Sequence, residues 1–204
     1  MLDGALWPFA DPALGVLQRA HYRLLVTDPP WRFLTYSAKG KARSPDAHYG
    51  CMSLEDIRAL PVAELCHPEG CALVMWTFGP FIDASIEVLK GWGFRYVTMG
   101  TWGKLSKRSP PFGQAGAKLH ISTGYHWRGA AENWLFGTRG KVGGALVHDV
   151  RNLMLEPVRE HSRKPDRMRL DLERMYPGPR AELFARATAP GWDCWGLELG
   201  KFDG

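Results

Sequence analysis

The stretch Tyr22-Arg23-Leu24-Leu25-Val26-Thr27-Asp28-Pro29-Pro30-Trp31 decides how this chain is read. Its first six residues form a short apolar run, the pattern of a buried strand. The two prolines end it, because a residue without an N–H cannot extend a hydrogen-bonded ladder. In open α/β sheets ligands bind beyond the carboxyl ends of strands. A strand that stops this abruptly is therefore the first place to look for chemistry.

The tetrapeptide after the strand has a definite chemical character. Asp28 is an anionic acceptor. Pro29 and Pro30 have fixed φ and no donor, yet their carbonyls still accept. Trp31 adds a large aromatic face. An exocyclic amine on a planar base is the complement of this corner. Its hydrogens would meet the Asp28 carboxylate and the Pro29 carbonyl, and its ring would stack on Trp31. Accepting both hydrogens draws the nitrogen toward tetrahedral geometry and frees its lone pair to attack an electrophilic methyl. No metal and no strong base are needed before attack. The plainer reading is a proline turn. By residue usage, however, this tetrapeptide arises by chance in fewer than about one chain of this length in a thousand.

Working outward, the chain alternates short apolar strands with helices. Ser53, with Asp56 three residues on, looks like a helix N-cap. Residues 71–78 (CALVMWTF) read as a second strand. Ile82, Ile86 and Leu89 share a helical face, and Gly91 is placed to end that helix. Residues 95–102 and 132–137 are further strands. Pro165 to Tyr176 is a helix, with Met168, Leu172 and Met175 on one face and Pro177-Gly178 stopping it. Short strands follow at 181–185 and 192–195. This alternation predicts an α/β fold around a mostly parallel sheet. With 204 residues, no repeats and no low-complexity linker, one domain spanning 1–204 is the simplest organisation.

Composition narrows the function classes. Apolar residues at 45% and charged residues at 23% exclude a wholly disordered chain. The longest apolar run, Cys71 to Trp76, is far short of a membrane span. The first basic residue is Arg19, so the start lacks a secretory signal's basic region. Four cysteines at ordinary spacing make no disulfide framework. A cytoplasmic protein with no membrane contact is expected. The net charge of +5 is unevenly placed. Residues 88–131 hold seven basic residues and no acid, leaving 19 basic against 21 acidic residues elsewhere. At the centre of this segment, Lys104 to Lys118 reads KLSKRSPPFGQAGAK, a basic loop with Phe112 inside it and His120 just beyond. Cations interleaved with rings suit phosphates and stacked bases, although a solvated loop has the same composition.

Several ordered blocks resemble the MT-A70 family of S-adenosylmethionine-dependent adenine-N6 methyltransferases. They are YRLLVTDPPW at 22–31, HYGCMSLEDIRALPV at 48–62, GCALVMWTFGPF at 70–81, TGYHWRGAAENWLFGTRG at 123–140, REHSRKPDRM at 159–168 and YPGPRAELFAR at 176–186. The first is shared with other amino methyltransferases, usually with Tyr for Trp. The SRKPD and ELFAR blocks in this order are more specific. The resemblance covers about residues 22 to 198. It implies a Rossmann-like class I methyltransferase fold with a permuted motif order: the catalytic motif is N-terminal and much of the cofactor part C-terminal. That order accounts for the missing G-x-G-x-x-G.

By the same resemblance, Asp28, Pro29, Pro30 and Trp31 are the catalytic tetrad. The cofactor, S-adenosylmethionine, is implied to meet Asp28, Lys164, Arg186 and Glu198, with Asp11 a weaker match near its adenine. Lys164, in the turn before a helix, suits the cofactor's carboxylate on chemical grounds as well. Trp31, Tyr49 and Glu132 fall on the substrate side, Glu132 as half of a positioning pair with a basic loop residue. Lys104, Lys107, Arg108 and Lys118 of loop 104–120 would face the nucleic acid. The chain departs from the pattern at Leu197-Glu198, where relatives carry an Asn first, and after Arg186, where Ala187-Thr188-Ala189 lack a polar pair.

The expected activity is methyl transfer to the N6 amine of adenine in nucleic acid. DNA is favoured over RNA, by analogy, because no zinc finger, RNA-binding domain or docking extension is evident. The alternatives are an RNA enzyme and a catalytically silent nucleic-acid-binding subunit; the intact tetrad and Lys164 speak against the second. A different amine, a protein amide or guanine N2, fits the basic loop and the specific blocks less well. A homodimer or a related partner subunit stays open. Cys66, His67 and Cys71 are too loosely spaced for a structural zinc, which needs four convergent ligands, so no metal is expected.

Overall fold

The computed structural model describes residues 14, 17–31, 51–124 and 126–203. Seven strands form one sheet in the order β5-β3-β4-β2-β1-β6-β7. They are β1 (Leu24–Thr27), β2 (Gly70–Thr77), β3 (Arg95–Leu105), β4 (Ala131–Gly140), β5 (Leu153–Pro157), β6 (Arg180–Leu183) and β7 (Asp193–Trp195). β4 runs antiparallel to both its neighbours, β2 and β3. The remaining pairings, β1·β2, β1·β6, β3·β5 and β6·β7, are parallel. This is the mostly parallel sheet that the strand–helix alternation predicts, and it is Rossmann-like, as the family resemblance implies.

The central strands are apolar on both faces, so they read as continuous runs rather than alternating ones. Successive side chains still point to opposite sides. Leu25, Leu73, Met75 and Leu135 face a layer made by helices α1 (Leu54–Ala59), α2 (Val62–Leu65) and α3 (Ile82–Gly91). Leu24, Val26, Val74 and Trp76 face Met168 and Leu172 of α4 (Arg167–Met175). Helices on both sides exclude water from the sheet, which is what the apolar runs require.

The element ends have local causes. Ser53 caps α1: its Oγ accepts from the Asp56 N–H at 3.0 Å, and its hydroxyl donates to Asp56 Oδ2 at 2.7 Å, which holds the capping side chain in place. Gly91 was placed to end α3 but belongs to its last turn. The left-handed residue is Gly93, with φ +82°, and Trp92 caps between them. α4 starts at Arg167 rather than in the first turn after Pro165, with Asp166 at the N-cap position. β6 stops at Leu183, two residues before the expected end, because Phe184 has φ +60° and leaves the strand direction. β3 and β4 are longer than expected. β5, an edge strand of five residues, carries too little pattern to be read from sequence. No helix among the described residues is long and apolar enough to cross a membrane.

Candidate active site

The register of the sheet brings one end of every strand to a common rim. Thr27 of β1 lies level with Met75 of β2 and Leu183 of β6. Because β4 is reversed, its beginning lies at this rim: Asn133 opposes Thr77, and Glu132 opposes Trp102 of β3. Lys104, near the end of β3, is thereby set beside Glu132. Leu105 pairs with Pro157 at the end of β5, and the chain from there to α4 carries Lys164 back over β1. Asp28 follows β1 directly.

These four side chains form a chain of alternating charge. Lys164 Nζ donates to Asp28 Oδ2 at 2.8 Å and lies 3.3 Å from Glu132 Oε2. Glu132 Oε1 accepts from Lys104 Nζ. The order is Asp28, Lys164, Glu132, Lys104, and the side chains of Asp28 and Lys164 are each only 18% exposed. The indoles below them come from the tryptophan-rich strands. Lys164 Nζ lies 5.5 Å from the centroid of Trp76 and Lys104 Nζ 4.9 Å from that of Trp102, distances at which a ring face attracts a cation. Trp76 in turn packs edge-on against Trp102 and Trp134.

Burial and charge act in opposite directions here, and charge prevails. Burial alone would raise the Glu132 carboxyl, but Lys164 and Lys104 on either side hold it at about 2. Burial would strip the proton from Lys164, but Asp28 and Glu132 raise its affinity for it instead. Glu132 and Lys164, at the centre of the network, are thus both charged at neutral pH. A single deletion would strand a buried charge.

The Asp-Pro-Pro-Trp corner is rigid for reasons beyond the proline rings. The Pro29 carbonyl accepts the Trp31 N–H at 2.8 Å, and the Pro30 carbonyl accepts the Met52 N–H at 3.0 Å. Pro29 therefore has one lone pair left for an incoming amine, not two. Trp31 is 4% exposed. Its ring packs near Phe81 and its Nε1 donates to the Trp76 carbonyl at 3.2 Å. In this conformation the indole props the corner from behind rather than presenting an open face.

Beside Asp28 a small cleft, open at its mouth, runs between the ends of β1 and β6 and the start of α4. Lys164, Arg186, Glu182, Trp76 and Phe202 are among its lining. Arg186 Nε pairs with Glu198 Oε2 at 3.1 Å, and its guanidinium also donates to the Ser162 carbonyl at 3.1 Å. Phe184 turns the chain so that the Ala185 N–H reaches the Trp195 carbonyl, which fixes where Arg186 begins. Glu182 at the cleft floor pairs with Arg169; burial pushes its carboxyl above the ordinary range even so.

The MT-A70 family model matches residues 22–198. The chain belongs to the MT-A70 family. Among its relatives is the type II methyltransferase M.MunI of Mycoplasma sp, 29% identical over 93% of this chain and 82% of that protein. The N6-methyladenosine RNA methyltransferase MTA1 of Cryphonectria parasitica is 29% identical over 89% of the chain and 52% of its own length. The human N(6)-adenosine-methyltransferase catalytic subunit METTL3 is 27% identical over 87% of the chain and 28% of its own length. The chain thus spans most of the first relative, about half of the second and less than a third of the third.

The expected MT-A70 residues fall into three groups. Asp28, Lys164, Glu132 and Lys104 meet in one network, and Arg186 and Glu198 pair beside the same cleft. Lys104 is turned inward to Glu132, whereas Lys107, Arg108 and Lys118 are exposed on the loop after β3. Asp11 and Tyr49 lie outside the described residues. Glu182, Arg169 and Phe202 were not singled out from sequence. A charge flanked by Ala181 and Leu183 inside a strand was the available signal for Glu182; nothing local marks Phe202.

Proposed function

We propose that this protein transfers a methyl group from S-adenosylmethionine to the N6 amine of adenine in nucleic acid, with DNA as the preferred substrate. The observation that carries the reading is the Asp28 carboxylate, held at the end of β1 on the rim of the cleft by Lys164, in a chain that matches the family almost throughout. The lining of the cleft suits the cofactor. Lys164 and Arg186 are lining cations that would suit a carboxylate and ribose oxygens. Asp28 and Glu182 suit a positively charged sulfonium and ammonium, and Glu198 suits ribose hydroxyls. Bound there, S-adenosylmethionine supplies an electrophilic methyl on sulfur.

The protein's own part is positioning. Lys164 occupies Asp28 Oδ2, which leaves the other carboxylate oxygen to accept one amine hydrogen. The remaining lone pair of the Pro29 carbonyl accepts the second. The corner cannot drift, because both proline carbonyls are tied to backbone N–H groups. Once the methyl has moved, the amine nitrogen carries an acidic proton, and the Asp28 carboxylate is the base beside it.

DNA is supported by the match to most of a type II methyltransferase. The RNA methyltransferases match over a smaller share of their length, and they make RNA the alternative. Incubation with radiolabelled methyl donor and single- or double-stranded DNA or RNA oligonucleotides tests both. Label is expected in adenine-containing DNA, absent from adenine-free controls, and lost with Asp28→Ala. Transfer at full rate by Asp28→Ala, or to adenine-free strands, rules the reading out.

A further inference from the structure

The segment between β3 and β4 is a tongue whose backbone is fixed and whose tip is apolar. The Lys104 N–H bonds the Ala130 carbonyl at 2.8 Å and the His120 N–H bonds the Lys104 carbonyl at 2.8 Å. Leu105 bridges Leu119, and the Ser106 N–H bonds the Lys118 carbonyl at 2.8 Å. Farther out, the Ser122 N–H bonds the Gly129 carbonyl at 2.8 Å. Trp127 lies between these two residues in sequence and is 88% exposed. The other described tryptophans are buried, except the half-buried Trp195. Ile121, next to Ser122, is exposed as well.

The charge on this segment has one sign. Lys107, Arg108, Lys118 and Arg128 are all exposed, and among the described residues none pairs with a carboxylate. No acid occurs from 88 to 131. An apolar ring in a field of free cations is matched by a polyanion that carries flat π-faces, not by a neutral protein surface. The root of the tongue is the Lys104–Glu132 pair beside Asp28 and Lys164. Trp127 is five positions from Glu132 along the chain, a span of at most about 18 Å. The tip therefore stays within a few nucleotides of the reacting base.

We propose that the tongue is a base-stacking arm. Trp127 stacks on a base flanking the adenine to be methylated, while Lys107, Arg108, Lys118 and Arg128 hold the phosphates around it. This rests on the nucleic-acid reading above and adds to it a contact outside the pocket for the reacting base. Stacking accepts any base, so the contact fixes position along the strand without reading sequence.

The test is equilibrium binding of the full chain to a short fluorescein-labelled single-stranded DNA with one adenine, without cofactor. A second DNA has abasic sites on both sides of that adenine. Trp127→Ala is expected to weaken binding to the first DNA roughly 5- to 150-fold, the range for loss of one stacked base. The slope of affinity against salt stays unchanged, because no phosphate contact is lost. Trp127→Tyr restores most of the affinity, and the abasic DNA binds wild type and Trp127→Ala alike. Equal binding of wild type and Trp127→Ala to the intact DNA overturns the proposal. So does a Trp127→Ala protein that binds normally per protomer while losing a self-association seen by sedimentation, which would make the tip a contact between copies. If wild type binds no nucleic acid, the functional reading itself fails, and the wild-type arm alone shows it.

Discussion

Glu132 loses its proton at about pH 2 in the folded chain, against an ordinary value of 4.5. Between those values the unfolded chain binds more protons than the folded one, so stability rises with pH across this window. The contribution is full above about pH 4.5 and lost as pH falls toward 2. It amounts to about 3 kcal/mol. In urea titrations at pH 3 and pH 7, Glu132→Gln is expected to show a smaller acid loss than wild type, together with lower stability at pH 7. Lys164 has the opposite sign. Its raised proton affinity stabilises the fold below the ordinary lysine value and is lost as pH climbs through the folded one. Lys164→Met is thus expected to remove an alkaline limb from the same profile. Asp28 was legible because its tetrad is contiguous. The network around it was only partly so, since the Lys164–Asp28 bond joins residues 136 apart and no local pattern records it.

At the level of elements, the site depends on how closely β7 can pass the turn after β6. A Cβ added to Gly196 would lie 2.4 Å from the Ala185 carbonyl oxygen and 2.8 Å from the Ala185 nitrogen, both backbone atoms with no room to yield. Gly196→Ala is therefore expected to destabilise the fold by about 1–3 kcal/mol. It should also weaken cofactor binding by calorimetry, because Arg186 and Glu198 flank the displaced turn. Gly143→Ala, where an added methyl meets nothing within 4 Å, serves as the neutral control. Most elements were legible from apolar runs and caps: Ser53, the β1 and β2 runs, the face of α4. The direction of β4 was not, because its residues alternate no differently whichever way the strand runs. β5 was missed because three consecutive apolar residues, Leu153 to Leu155, are too few to show a period.

Over the whole molecule, the acid-free segment becomes the exposed cationic tongue, and the remainder is nearly neutral. Neutralising cations on that tongue should act on affinity through counterion release. Lys107→Ala with Arg108→Ala is expected to flatten the dependence of log affinity on log salt by roughly 0.7 per cation on single strands, with cofactor affinity unchanged. Lys104→Ala should behave differently. It removes a partner of buried Glu132, so its main effect is lower stability, read as a lower melting temperature. Sequence alone grouped Lys104 with the surface cations, since composition does not show which way a side chain turns.

The reversal of β4 has a consequence for how such a protein can change. β3 leaves the sheet and β4 re-enters it at one and the same rim, as adjacent strands in register. Everything from 106 to 129 is thus spliced into a closed junction whose two ends are already hydrogen-bonded to each other. A segment anchored this way can be lengthened, shortened or exchanged with little disturbance to the strands behind it. The gripping surface is an interchangeable part, and descendants of one scaffold can acquire new targets by rewriting only that insert.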